Sequence, residues 1–202
     1  MDYNHGTPGL CGGGMLANEF IRLPIQMVDR MPPGTPRWGL VHKQAMRKYY
    51  KRNIAVMGPT QQIPSADARV TLDPNVRDKY GIPVVRISGN VHPQTYEIGA
   101  IQAKRAEAWL KEAGAIATQL TGGLPEVVSA GQHQAGTCRM GNDPRSSVVD
   151  KSCRVHDVDN VFVIDSSVHV NNGGFNPGLT IMAIAFYASE ALVRGWKGGG
   201  YR

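Results

Sequence analysis

The sequence predicts an α+β chain: an antiparallel sheet packed with helices, then a last strand and helix of a different kind. Three observations predict it. Two β-rich stretches, 68–72 and 83–87, flank the turn residues Asp73, Pro74 and Asn75, the pattern of adjacent antiparallel strands. Residues 93–113 place Ile98, Ile101, Trp109, Leu110 and Ala113 on one helical stripe. Residues 161–164 are apolar throughout, as in a strand buried on both faces of a parallel sheet.

Taken in order, residues 1–66 read as a loop-rich segment with short helices. Met31, Pro32, Pro33 and Gly34 break any regular element, and 41–50 suits a short amphipathic helix. The glycines at 12–14 read as a plain turn, or as backbone able to approach a ligand closely. His5 and His42 read as surface or core histidines. A second segment, 67–130, holds the two strands, the helix at 93–113 stopped by Gly114, and a short strand at 126–129. Arg86 lies among apolar neighbours, which leaves one face of the sheet wet. The third segment, 131–202, carries the polar run at 133–141, the strand at 161–164 and a long helix. Leu179, Ile181, Met182, Ile184, Phe186 and Leu192 make that helix apolar on nearly all sides, so it is expected between two layers.

With 202 residues the chain can bury a sizeable core. The net charge is +6, and its densest basic run is Lys-Gln-Ala-Met-Arg-Lys-Tyr-Tyr-Lys-Arg at 43–52. That run reads as a solvated helix face; a nucleic-acid or membrane surface is the alternative. Cys11, Cys138 and Cys153 have no metal-binding spacing. Cys138 and Cys153 could face each other across a turn, but an odd count favours free thiols. No signal peptide or membrane span is visible, since the longest apolar run is too short and is interrupted by Ser189 and Glu190. The cytoplasm is the default compartment, and the periplasm the alternative if the chain is exported with a partner subunit.

The chemistry concentrates between 132 and 182. Asn176 followed by Pro177 is a helix-start pair, Asn as cap and Pro at the first helical position. The free N–H groups behind it, at Gly178 and Leu179, would face something negative or polar. Asp165 stands at the carboxyl end of the predicted strand, where α/β sheets hold ligands. His133 opens the polar run. His156 and His169 have no ligand-like spacing with it, and no metal is expected.

This order of residues resembles the C-terminal part of the glucose–methanol–choline oxidoreductases, which are FAD enzymes. The match is carried by His-x-x-Gly-Thr-x-Arg-Met-Gly at 133–141, Val-Val-Asp at 148–150, Val-Ile-Asp-Ser-Ser at 163–167 and Asn-Pro-x-x-Thr at 176–180. The Asn-Pro form is closest in type to the sugar, sugar-acid and polyol dehydrogenases. The resemblance implies that 67–130 belongs to a substrate domain on an antiparallel sheet. It makes 131–202 the catalytic histidine segment with the C-terminal strand and helix of an FAD-binding, Rossmann-like domain, and places 1–66 at the interface between cofactor and substrate domains. It implies His133 and Asn176 as the catalytic pair, and Asp165, Ser166, Asn176, Pro177 and Gly178 as cofactor-binding residues.

The expected reaction follows. Oxidising an alcohol sends the hydroxyl proton to a base and the carbon-bound hydrogen, as hydride, to a redox cofactor. An imidazole suits the first task. A neutral amide can donate to the substrate oxygen without competing for its proton. A Gly-x-Gly-x-x-Gly turn, which such enzymes use to cradle the FAD pyrophosphate, is not found in the chain. The expectation is therefore a fragment or one piece of a split enzyme, inactive alone and partnered by a segment carrying that turn. A non-catalytic subunit that binds a partner flavoprotein is the other reading. A sugar or polyol is the expected substrate. Oxygen, a quinone and a cytochrome all stay open as acceptor, so an electron-acceptor protein is one candidate partner.

Overall fold

The computed structural model describes residues 7–18, 23–120 and 133–199. The strand expected at 126–129 and His5 fall outside them. Strand β1, Ala17–Asn18, pairs antiparallel with β2, Val56–Met57. Between them run a 3-10 helix, Pro24–Arg30, helix α1, Gly39–Tyr49, and a 3-10 turn, Tyr50–Arg52. Gly39 begins α1 with φ at 85°, a conformation glycine adopts without strain. The His42 ring donates through Nδ1 to the Pro36 carbonyl at 2.9 Å, tying the helix to the proline-rich segment before it. His42, Ala45, Met46 and Tyr49 recur at helical spacing on the half-buried side.

Strands β3, Arg69–Arg77, and β4, Pro83–Ser88, form the expected antiparallel hairpin. The reversal is not at 73–75. Strand β3 runs through those residues, with a register irregularity between Leu72 and Arg77. The Asp73 carboxylate accepts the N–H groups of Asn75 and Val76 at 2.8 and 2.9 Å, and Pro74 has no N–H for the ladder. Together these kink the strand rather than reverse it. The chain turns at 78–82, where Asp78 N–H donates to the Ile82 carbonyl at 2.9 Å and Gly81 takes φ at 81°. Val70, Leu72, Val76, Ile82, Val85 and Ile87 are each at least half exposed, so both faces of the hairpin are bare.

Helix α2, Pro93–Glu112, fills the predicted span to within a residue. His92 caps it by accepting from Gln94 N–H through Nδ1 at 3.3 Å, and Pro93 takes the first position. Gly114, with φ at 89°, ends it, and Ala115 N–H reaches back to the Leu110 carbonyl at 3.0 Å. The predicted stripe is buried only in its first half. Thr95, Ile98 and Gln102 are covered, whereas Trp109 is about half exposed.

The main core joins Val149, Cys153, Val168 and Ala188, with Met140, Val155, Val163, Ile164 and Ile184 packed on it. Its floor is a tight turn at 150–154. The Asp150 carboxylate accepts from Ser152 and Arg154 N–H, and the backbones of Asp150 and Arg154 also bond at 2.8 Å. Cys153 sits in that turn with φ at 63°, which costs a non-glycine residue about 1 kcal/mol or more. All three cysteines are free thiols.

Of the strand expected at 161–164, one edge is paired within this chain. Its ladder contact is one antiparallel bridge, Arg154 to Phe162, flanked by Val155 N–H to Val161 carbonyl and Val163 N–H to Cys153 carbonyl, both 2.9 Å. The turn at 150–154 brings its own downstream chain back alongside, so the local antiparallel partner takes the bonds. Val161 is 43% exposed in this chain by itself.

Helix α3, Gly178–Lys197, is likewise not sealed all round. Ile181, Ile184, Ala185, Ala188, Ala191 and Leu192 form the covered side. Leu179, Met182, Phe186, Tyr187 and Val193 are half or more exposed, Leu179 reaching 80%. Among the described residues no helix is long and apolar enough to cross a membrane.

This bare surface has a measurable consequence. A few hundred Å2 of uncovered apolar area is worth several kcal/mol at roughly 25 cal/mol per Å2, comparable with a domain's stability. Residues 1–202 expressed alone should bind a dye such as ANS strongly and melt without a sharp cooperative transition. A soluble monomer with a steep calorimetric peak and no dye binding would show that the exposed faces of α3 and the hairpin are tolerated.

Candidate active site

Two segments form the centre of the site. Gly136, Cys138 and Met140 donate their N–H groups to the carbonyls of Ser166, Ser167 and Val168 at 3.2, 2.9 and 2.9 Å. Donors advance two residues for each acceptor because the acceptors lie on a 3-10 turn, Ser166–Val168, while the donors are extended. Asp165 caps that turn by accepting from Ser167 N–H at 2.7 Å. Hydrogen bonding from Ser167, side chain first and backbone second, holds the Asp165 carboxyl below its ordinary value of 3.8. The Ser166 hydroxyl donates to the Gln134 carbonyl at 3.0 Å. Gly136 takes φ at 87°, and a Cβ there would press on the His169 carbonyl at 3.2 Å.

A second set of contacts anchors this pair to the N-terminal segments. The Asn172 amide accepts from Gln62 N–H at 3.2 Å and donates to the His133 carbonyl at 3.4 Å. Gly174, with φ at 77°, lies so close that a Cβ would be 3.1 Å from Gln61 N and 3.3 Å from Gly14 Cα. Gln61 N–H donates to the Gly13 carbonyl at 2.8 Å. A Cβ on Gly14 would overlap the Gln102 amide and the Pro59 carbonyl. Gln102 itself accepts from the Thr60 hydroxyl at 2.7 Å. The close approach that the glycines at 12–14 permit is thus to the protein's own backbone and to α2.

The expected site residues fall in this region as follows. His133 is half-buried, its backbone held by Asn172. Asp165 is exposed and Ser166 half-buried on the stitched turn. Asn176 is exposed, but it does not cap α3. Pro177 holds the cap position with φ −85° and ψ −2°, and no side chain caps the helix. The first intrahelical bond is accepted by Pro177 and not by Asn176, so the cap lies one residue past the Asn. The first intrahelical bond runs from Ile181 N–H to the Pro177 carbonyl at 2.9 Å. The N–H groups of Gly178, Leu179 and Thr180 therefore have no carbonyl of α3 to donate to. A Cβ on Gly178 would meet nothing within 4 Å, so the helix start opens onto free space. Among the described residues the Asn176 side chain has no hydrogen-bond partner, so its amide and these N–H groups could serve a polar or negatively charged ligand.

Three features were not singled out in the sequence. Asn172 ties the His133 segment to 61–62; its only sequence signal is the run Asn-Asn-Gly-Gly at 171–174. His169 is 7% exposed, and its buried Nε2 has no hydrogen-bond partner among the described residues. Its signal is a polar residue between two valines. Third, Ser147 Oγ and His156 Nε2 are 2.9 Å apart, the spacing of a nucleophile and its base. The protons rule that use out. The Ser147 hydroxyl gives its hydrogen to the Asp143 carbonyl at 2.7 Å, so the imidazole must be the donor in the pair. The network locks the turn at 143–147.

A family model described as GMC oxidoreductase matches residues 64–185. The chain is 32% identical over 157 residues to the 2-methyl-1,2-propanediol dehydrogenase of Mycolicibacterium austroafricanum, covering 78% of this chain and 28% of that protein. It is 26% identical to the gluconate 2-dehydrogenase flavoprotein of Pantoea cypripedii, covering 95% of this chain and 32% of that protein. It is 29% identical to the fructose dehydrogenase large subunit of Gluconobacter japonicus, covering 80% and 29%. The chain thus spans less than a third of the length of these relatives.

The Asp165 cap gives a pH signature. Its folded pKa is lowered, so its contribution to stability is complete above 3.8 and is lost as pH falls through the folded value. Hydrogen exchange at the Ser167 amide should speed up on acidification below about pH 4, beyond the intrinsic pH effect. Asp165→Asn, which can still accept the bond but does not titrate, should show no such extra acceleration.

Proposed function

The chain belongs to the GMC oxidoreductases, and from that membership and the site we propose that it serves FAD-dependent oxidation of a CH–OH group in a sugar, sugar acid or polyol. The observation that supports the reading is the start of α3, where three helix N–H groups have no carbonyl of the helix to donate to and Asn176 is exposed, four residues after Asn172, whose amide donates to the His133 carbonyl. The relatives, a diol dehydrogenase, a gluconate dehydrogenase flavoprotein and a fructose dehydrogenase, support the substrate class.

In this reading FAD, when bound, supplies the hydride acceptor that no side chain can provide. His133 takes the hydroxyl proton of the substrate. Asn176 donates from its amide to the same oxygen and orients it. The start of α3, with Pro177 and Gly178, would offer its positive end to negative charge that the bound cofactor gains on reduction, an electrostatic stabilisation. Asp165 and Ser166 hold the cofactor's polar chain. The FAD-holding segment that such a reaction needs is a proposed partner.

The test is the assembled protein with FAD bound. A polyhydroxylated substrate should bleach the flavin absorbance. His133→Ala should lower kcat by about a hundredfold to ten-thousandfold and leave the flavin bound. Asn176→Ala should lower kcat without loosening α3, because Asn176 is not its cap. No bleaching by any alcohol with FAD bound, or parental kcat in His133→Ala, would overturn the proposal.

A further inference from the structure

No Asp or Glu occurs between Arg30 and Ala66, although the net charge of the whole chain is only +6. Within that span α1 has no buried residue. Its half-buried side holds His42, Ala45, Met46 and Tyr49, which leaves Lys43, Arg47 and Lys48 on the outer side, continued by Lys51 and Arg52 in the next turn, all exposed. Among the described residues none of these five cations joins an ion pair; Lys48 lies over the Tyr49 ring at 4.9 Å. At the N-terminal end of the same surface stand Trp38, 84% exposed, Leu40, 70%, and Val41, 57%.

We propose that this surface docks on an anionic phospholipid bilayer, with Trp38, Leu40 and Val41 entering the interface and the five cations meeting the headgroups. A large aromatic and two aliphatic side chains left in water beside lysines form the composition that interfacial anchors use. The indole suits the headgroup layer, and the cations gain from the negative surface potential. A bilayer also fits the geometry better than an acidic protein face. Among the described residues the cations have no ion-pair partner, and they are spaced along α1 and the turn after it, which a layer of mobile headgroups can match without fixed carboxylates opposite each one. The inference is independent of the oxidation chemistry, since the surface shares no residue with the site.

The test uses the assembled protein and flotation with vesicles, of phosphatidylcholine alone or mixed with phosphatidylglycerol. Binding should require phosphatidylglycerol and weaken steeply with salt. The charge reversal R47E/K48E/K51E should weaken it at least about tenfold, and Trp38→Ala several-fold. All four side chains are exposed, and an unchanged thermal midpoint checks that each variant is folded. No binding to phosphatidylglycerol vesicles at low salt overturns the proposal, as does undiminished binding of the charge-reversed variant. Capture by polyglutamate without any vesicle binding also overturns it and assigns the patch to an acidic protein partner.

Discussion

Backbone meets backbone where Gly14, Gly174 and Gln61 converge, with no room for a side chain between them. The rest of the arrangement depends on this. Gly14 must be bare for α2 to present Gln102 to Thr60 and Pro59. Gly174 must be bare for the loop before α3 to come within reach of 61–62. Only then can Asn172 span from Gln62 to the His133 carbonyl. Dispersion and hydrogen bonding across such a junction fall off steeply with separation, so a single methyl group would act on three segments together.

How much of this was legible follows from where each signal lies. Helix α2 announced itself by period and terminating glycine, both local to its own sequence. The hairpin was legible as two strands, but the turn chemistry of Asp73, Pro74 and Asn75 was spent on a kink, and Gly81 made the reversal. Residues 161–164 have the composition of a doubly buried strand, and the turn around Asp150 supplies an antiparallel partner on one edge, which composition alone did not indicate. Composition reports what a segment can bury, and the chain on either side decides what is near enough to bury it.

The same limit applies to the site. His133, Asp165 and Asn176 stood out because chemistry-bearing residues recurred in a specific order. The residues that hold them did not, because Asn172, Gly174, Gln61 and Gln102 act through contacts across long stretches of sequence. A glycine needed for a close approach looks in sequence like a glycine in a turn. The Asn-Pro pair shows a subtler shift: Pro177 assumed the cap position, which releases the Asn176 side chain from structural duty.

The three thiols form a graded series: Cys11 exposed, Cys138 intermediate and Cys153 buried. Burial first, and then the negative charge of Asp150, push the Cys153 thiol above 9.0, so it is both shielded and weakly nucleophilic. An alkylating reagent can reach it only when the turn at 150–154 lets go of the core. The chain therefore carries its own opening gauge: the rate at which Cys153 is modified, relative to Cys11, counts the excursions in which the floor beneath the 165–169 segment comes apart.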